Sequence, residues 1–218
     1  LHYLQFYIYF RHKGGWDENK YKIEDNARIS IYDDNVILDG LQIDIDSQTG
    51  IYVSAGTSQA IENVKIKNNI IKNTSYAMWV HFSWGLSDLS IYNNIIYDTV
   101  NEGIHLFIHT SNKNVVVANN LVYNTNQSSS YGIYIHNDGP LVANNIVYNT
   151  AQDFMINASG NNYNNISSDG TAIGVGSMTT TTVSFVDAAN KDFRLAETDT
   201  VARNAGTSTP MNTISDTI

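Results

Sequence analysis

The sequence predicts an all-β protein, a parallel β-helix solenoid of about six rungs that ends in a C-terminal cap. Three observations carry this prediction: a repeat of about 25 residues, an Asn pair at the same place in each repeat, and apolar stretches that alternate with period two. Such alternation is typical of half-buried strands. Repeats of this length are typical of solenoids, whose rungs bury an apolar column only by stacking on one another.

The repeat is defined by four segments that align without gaps and hold the Asn pair between runs of Val and Ile. The segments are 64–74, 89–99, 115–125 and 141–150. The second Asn of the pair is Asn69, Asn94, Asn120 and Asn145 in turn. Asn tolerates the left-handed conformation that a tight bend requires, and stacked Asn side chains form hydrogen-bonded ladders. We therefore expect a bend and an axial ladder at this point of each rung.

A second apolar stretch follows in each repeat after a short linker. If its first apolar side chain points into the core, the next one points outward, because side chains alternate along a strand. The outward positions then form two columns on one face. The first column is Tyr52, Trp79, His105, Tyr134 and Met155, and the second is Ser54, His81, Phe107, His136 and Asn157.

The composition excludes several classes of function. A formal net charge of −9 argues against a nucleic-acid partner, which requires clustered Lys and Arg. No run approaches the roughly 18 apolar residues that cross a bilayer, so no membrane span is expected. The absence of Cys excludes disulfides and Cys-ligated zinc.

The repeats at about residues 29–170 resemble those of right-handed parallel β-helix proteins, the pectate-lyase-like superfamily of lyases, glycoside hydrolases, epimerases and adhesins. Phe185-Val186-Asp187, Asp192-Phe193-Arg194-Leu195 and Asn204-Ala205-Gly206 resemble the closing segment of secreted bacterial β-helix proteins. That segment usually reads Ser-Pro-Ala where this chain has Thr200-Val201-Ala202, and Asp where it has Asn204. The resemblance implies a carbohydrate-binding, secreted protein at the cell surface or outside a bacterium.

The predicted organisation has three parts. Residues 1–28 form an N-terminal strand and loop that make an incomplete first rung, residues 29–170 form the β-helix rungs, and residues 171–218 form a final turn and cap. Leu4, Phe6, Ile8 and Phe10 alternate with other residues, so the chain opens directly with a strand. We expect this rung to be covered by an upstream domain or by self-association.

The aromatic and His columns are the predicted functional surface. Flat rings stack on sugar faces, and in the superfamily the corresponding strand lines the saccharide groove. We therefore expect a polysaccharide partner, with Tyr52, Trp79, His81 and Phe107 binding it. The alternatives are a cross-rung stack that only stabilises the sheet, and a face that other parts of the protein cover.

Whether this face also catalyses a reaction is left open by the sequence. In a His/Tyr polysaccharide lyase, His105 or His136 would take a proton and Tyr134 would return one. In a glycoside hydrolase, two carboxyl groups would act as a pair, and the candidate acids are Glu102, Asp138 and Asp153. A third possibility is a non-catalytic adhesive or structural subunit that self-associates.

No cofactor or metal site is predicted with a defined ligand set. His81 and His136 lie two rungs apart, about 9–10 Å by the rung spacing, which is too far for one metal ion. A Ca²⁺ site is possible, and its candidate ligands are Asp33, Asp34, Asp44 and Asp46.

Overall fold

The computed structural model describes residues 7–9, 22–24, 28–54, 60–81, 85–108, 114–125, 130–137, 139–157 and 161–208. The chain winds as a parallel β-solenoid, in which successive rungs add one strand to each of three sheets. The predicted all-β parallel β-helix is therefore confirmed. Within the described residues, no helix is long and apolar enough to cross a membrane.

Strands are numbered here in chain order. The first sheet contains β1 (Tyr7–Tyr9), β4 (Ile37–Asp39), β7 (Ile61–Lys67), β10 (Leu86–Tyr92), β13 (Val116–Ala118), β16 (Leu141–Ala143) and β19 (Asn162–Tyr163). The second sheet contains β2 (Ile23–Glu24), β5 (Gln42–Asp44), β8 (Ile70–Lys72), β11 (Ile95–Thr99), β14 (Leu121–Thr125), β17 (Ile146–Tyr148) and β20 (Ile166–Ser167). The third sheet contains β3 (Ile29–Ile31), β6 (Ile51–Ser54), β9 (Tyr76–His81), β12 (Glu102–Phe107), β15 (Tyr131–Ile135) and β18 (Gln152–Ile156).

The interior is a stack of aliphatic side chains, one layer per rung. Ile66, Ile91 and Val117 from the first sheet, like Ile71 and its neighbours in the second, are completely buried. Full burial of such a side chain stabilises the fold by about 1.5–3 kcal/mol. This column explains why Val and Ile recur at fixed places in every repeat.

The two Asn residues of each pair have different tasks at the bend between the first and second sheets. The first adopts the left-handed conformation, with φ of 57° at Asn93 and 54° at Asn119. The second is buried, and its Nδ2 donates to Oδ1 of the Asn one rung further on at 3.0 Å. The predicted bend and ladder are both confirmed. The ladder contains Asn69, Asn94, Asn120, Asn145 and Asn165.

Each end of the ladder is satisfied by a different group. At the N-terminal end the backbone N–H of Leu41 donates to Oδ1 of Asn69 at 2.9 Å. At the C-terminal end the backbone N–H of Asn165 donates to Oγ of Ser177 at 3.1 Å, so a Ser hydroxyl takes the place of the next amide. No ladder amide in the described residues therefore lacks a partner at these two ends.

The segment after the last rung lies across the end and one side of the solenoid. The backbone N–H groups of Val175 and Met178 donate to the carbonyls of Asn162 and Asn165. Strands β21 (Phe185–Asp187) and β22 (Asp192–Leu195) form an antiparallel hairpin, and Lys191 between them pairs with Asp98 at 2.7 Å. These contacts fit the predicted cap, whose boundaries stay a prediction. Of the predicted opening strand, Leu4, Phe6 and Phe10 lie outside the described residues.

Candidate functional site

The first outward column runs in register along the third sheet. Tyr52 lies opposite Trp79, Trp79 opposite His105, His105 opposite Tyr134, and Tyr134 opposite Met155. All five side chains are partly exposed, whereas the residues that follow them in β6, β9, β12 and β15 are buried. Parallel in-register pairing thus places these five side chains in one line along the axis, as the alternation predicts.

The second column lies beside the first. Ser54 is opposite His81, and His81 is opposite Phe107. The His81 and Phe107 rings stack with centroids 5.3 Å apart, and the Phe107 and His136 rings meet edge to face at 4.9 Å. Phe107 is 40% exposed, which is unusual for a Phe side chain in a solenoid strand. The second column therefore widens the ring surface.

The first residues of β9, β12, β15 and β18 form a third outward column. Alternation along the sequence does not reveal this column. Tyr76 is opposite Glu102, and Tyr131 is opposite Gln152. Alternation fails because two consecutive residues face the interior at Ala77-Met78, Gly103-Ile104 and Gly132-Ile133. The available signal is the column of small residues itself, because a Cβ at Gly103 would lie 2.6 Å from the carbonyl oxygen of Gly132.

The rings of the first and third columns form a continuous surface over four rungs. Centroid separations along the first column are 5.7 Å for Tyr52–Trp79, 6.0 Å for Trp79–His105 and 5.1 Å for His105–Tyr134. Tyr76 stacks on Trp79 at 5.2 Å with an angle of 30° between the planes, and Tyr131 lies 4.7 Å from Tyr134. Neighbouring ring planes in the first column meet at angles of 71°, 56° and 59°, so the surface is a row of mutually inclined rings whose polar groups are phenol hydroxyls and ring nitrogens.

The three residues predicted to be catalytic lie together at the centre of this surface. The Tyr134 and His136 rings stack at 3.9 Å, and the His105 and His136 rings are 5.0 Å apart. The carboxylate of Glu102 contacts Nδ1 of His105. A carboxylate on one ring nitrogen holds a neutral imidazole in the tautomer whose other nitrogen, Nε2, is free to accept a proton. This pair has the parts needed for proton transfer.

Several pKa values at the centre are shifted. Burial, followed by the charge of His105, lowers the pKa of His136, and the Glu102 carboxylate opposes that shift. Burial raises the pKa of Tyr134, with Tyr131 and Glu102 contributing in the same direction. Burial and Glu102 also raise the pKa of Tyr76. These shifts favour the uncharged imidazole at His136 and the protonated phenols at Tyr134 and Tyr76.

Among the described candidate acids, Asp153 is not brought to this centre. Asp153 lies in the inward column of small residues, is fully buried, and accepts hydrogen bonds from Thr150, Ser168 and Asp169. Burial raises the pKa of its carboxyl, and the hydroxyls of Ser168 and Thr150 oppose this. Asp138 lies outside the described residues. Among the described residues of the three columns, Glu102 is the only acid, so they hold no pair of carboxyl groups.

Three of the four candidate Ca²⁺ ligands, Asp34, Asp44 and Asp46, are engaged by protein groups. Asp44 pairs with Lys72 at 3.2 Å, and Asp46 accepts a hydrogen bond from Ser47. Asp34 accepts from the backbone N–H of Glu62 at 2.8 Å. In the part of the chain that the structure describes, no three His, Asp or Glu side chains gather as a metal site. Calcium binding stays a prediction.

The fold and the surface together define a class: a three-sheet parallel β-solenoid with an aromatic and His face on one sheet. A family model described as right-handed beta helix region matches residues 8–186. The chain belongs to this right-handed β-helix family, which confirms the resemblance noted in the repeats. No curated protein and no solved structure matches the chain.

Proposed function

We propose that the protein binds a polysaccharide along the outer face of the third sheet. The observation that carries the proposal is the in-register column of Tyr52, Trp79, His105 and Tyr134, whose rings contact one another over successive rungs. Contiguous exposed apolar surface of this kind is typical of binding sites on soluble proteins. A linear polymer is the ligand that matches a linear and periodic site.

The spacing of the column suits a chain of sugar rings. Strands of a sheet lie about 4.8 Å apart, which is close to the length of one sugar unit, so that one unit spans about one rung. Aromatic rings present a negative face to the C–H groups of a sugar. The phenol hydroxyls of Tyr76 and Tyr131 in the third column and of Tyr134 in the first column then supply hydrogen bonds to sugar hydroxyls.

One polar atom in the surface lacks a partner. Nε1 of Trp79 is buried and donates to no acceptor among the described residues. A buried donor without an acceptor costs about 1–3 kcal/mol. A small rotation of the indole toward a bound sugar would give this donor a hydroxyl oxygen, so ligand binding would remove the cost.

We expect Trp79→Ala to lower affinity for the bound polysaccharide about 10-fold, because it removes the ring at the centre of the Tyr52–Trp79–His105 run; this corresponds to about 1.4 kcal/mol. Affinity gel electrophoresis, in which retardation by an immobilised glycan reports Kd, measures the change. The matched control is Tyr148→Ala, which removes a stacked ring from the outer face of the second sheet. Equal retardation of wild type and Trp79→Ala would contradict the proposal.

Proton transfer on the bound sugar is a second candidate function, favoured by the contact between Glu102 and Nδ1 of His105. In a His/Tyr lyase, Nε2 of His105 would accept the proton next to a uronate carboxylate, and Tyr134 would protonate the leaving oxygen. Incubation with a uronic-acid polymer tests this through the absorbance of the new C=C bond. Wild-type turnover that His105→Ala abolishes would support it, and no turnover would leave binding alone.

We also propose a location and an assembly for the protein. A polysaccharide ligand is consistent with a secreted or cell-surface protein, and we propose that location for this chain. Self-association at the N-terminal rung is a separate proposal, and its measurement is the molar mass in solution by light scattering.

A further inference from the structure

We infer that the ligand of the third-sheet face is an uncharged glycan and not a polyuronate, an inference that rests on the proposed function. It concerns the substrate class of the face, and it follows from where the chain places its charged side chains.

The three outward columns carry one acid and no Lys or Arg among the described residues. Glu102 lies at the centre, 8% exposed, with its carboxylate on His105. Among the described residues, Arg28 is a cation that contacts the first column, at its N-terminal margin. Its guanidinium lies over the Tyr52 ring at 4.6 Å, and its Nε donates to Oγ of Ser30. This cation already has partners and stands several rungs from the centre.

The imidazoles of the face are engaged by neighbouring groups of the protein. Burial, followed by the charge of the neighbouring His105, lowers the pKa of His136 and so favours its uncharged form. Nδ1 of His105 is taken by the Glu102 carboxylate. His81 stacks flat on Phe107 with an angle of 18° between the planes, so its ring face is covered. The polar groups left for a ligand are ring nitrogens and phenol hydroxyls, which suit sugar hydroxyls.

The linkers that follow the third-sheet strands have the same charge balance in the sequence. These linkers are residues 32–36, 55–60, 82–85, 108–115, 136–140 and 157–161. Together they contain one Lys, Lys113, and three acids, Asp33, Asp34 and Asp138. The lysines of the rungs belong to the other sheets. Lys67 in the first sheet pairs with Asp39, and Lys72 in the second pairs with Asp44. Among the described residues, the lysines of the strands thus lie in the other two sheets, and Arg28 contacts the aromatic face at its N-terminal margin.

A polyuronate carries one carboxylate per sugar, hence about one per rung on this face. Repulsion between Glu102 and a sugar carboxylate about 4 Å away would lower the affinity for the polymer by at least about 5-fold, even at the dielectric constant of water. No described Lys or Arg of the columns offsets this repulsion. A neutral glycan meets no such penalty, and its hydroxyls can donate to the Glu102 carboxylate.

Affinity electrophoresis in gels that hold xylan, galactan, β-1,3-glucan, polygalacturonate or alginate tests the inference at low salt and at about 0.15 M salt. We expect retardation by at least one neutral polymer, little changed by salt, and at least about 5-fold weaker retardation by both polyuronates. Glu102→Gln should raise the ratio of polyuronate to neutral retardation by about 5-fold. The matched control Glu62→Gln, on the exposed side of the first sheet, should leave the ratio unchanged.

The outcomes separate the inference from the proposed function. Stronger retardation of wild type by a polyuronate would overturn the neutral-ligand inference and restore the lyase candidate, with binding along the face intact. An unchanged ratio in Glu102→Gln would also overturn the inference. No retardation by any of the five polymers would overturn the proposed function itself.

Discussion

We expect Asn120→Ala to lower the free energy of unfolding by about 4 kcal/mol. The Asn120 side chain makes four hydrogen bonds near 3.0 Å: its Oδ1 accepts from N and Nδ2 of Asn94, and its Nδ2 donates to Oδ1 of Asn145 and to the carbonyl of Ile91. Truncation leaves two buried donors of Asn94 without an acceptor, at about 1–3 kcal/mol each. The remaining cost comes from the cavity and from the loss at Ile91.

Urea denaturation followed by circular dichroism measures this loss. The matched control is the adjacent Asn119→Gly, because Asn119 is exposed and has a φ of 54°, which Gly adopts without strain. We expect this variant to change stability by no more than about 0.5 kcal/mol. Equal stabilities of Asn120→Ala and Asn119→Gly would show that the ladder does not hold the rungs together.

The second large effect is expected at Asp153, where Asp153→Ala should lower the free energy of unfolding by about 3 kcal/mol. The carboxylate is fully buried and accepts from N and Oγ1 of Thr150, N and Oγ of Ser168, and N of Asp169. The three bonds from Ser168 and Asp169 tie the last strand of the third sheet to the turn that leads into the C-terminal segment, and the two from Thr150 close the turn before that strand. Truncation would leave most of these partly buried donors without an acceptor.

This substitution also distinguishes a structural acid from a catalytic one. Asp46→Ala, which removes an exposed carboxylate bonded to Ser47, is the stability control, with an expected change within about 0.5 kcal/mol. Below its unfolding transition, Asp153→Ala should bind polysaccharide as the wild type does. Full stability combined with lost binding or turnover would instead place Asp153 in the functional site.

Much of the architecture could be predicted from the sequence, because each rung repeats the same local pattern of residues. The Asn pair specified both a left-handed residue, as at Asn119, and a buried amide, as at Asn120. Period-two alternation then placed Trp79, His105 and Tyr134 on one face, because parallel strands in register keep equivalent residues in line. The pattern is reliable wherever a strand is straight.

The candidate site was incompletely predicted where the strand is not straight. Two consecutive inward residues at Gly103-Ile104 return Glu102 to the outer face, and only this bend brings its carboxylate to Nδ1 of His105. The same bend carries Asp153 inward, although its place at a strand edge suggested an acid near the ligand. Period-two alternation alone does not reveal that a strand has an extra inward residue. The recurrence of Gly and Ala at this position is the sequence signal that would reveal it.

Hydroxyl-radical footprinting of the wild-type protein, with and without the neutral polysaccharide that retards it most in gels, tests most directly whether the aromatic and His face binds the ligand. If it does, we expect the ligand to protect Trp79, Phe107 and Tyr134 on the third sheet. Tyr148 on the second sheet and Tyr163 on the first should be modified equally in both samples. Protection confined to Tyr148 or Tyr163, with Trp79 and Tyr134 unchanged, would contradict the claim that the aromatic and His face is the binding site.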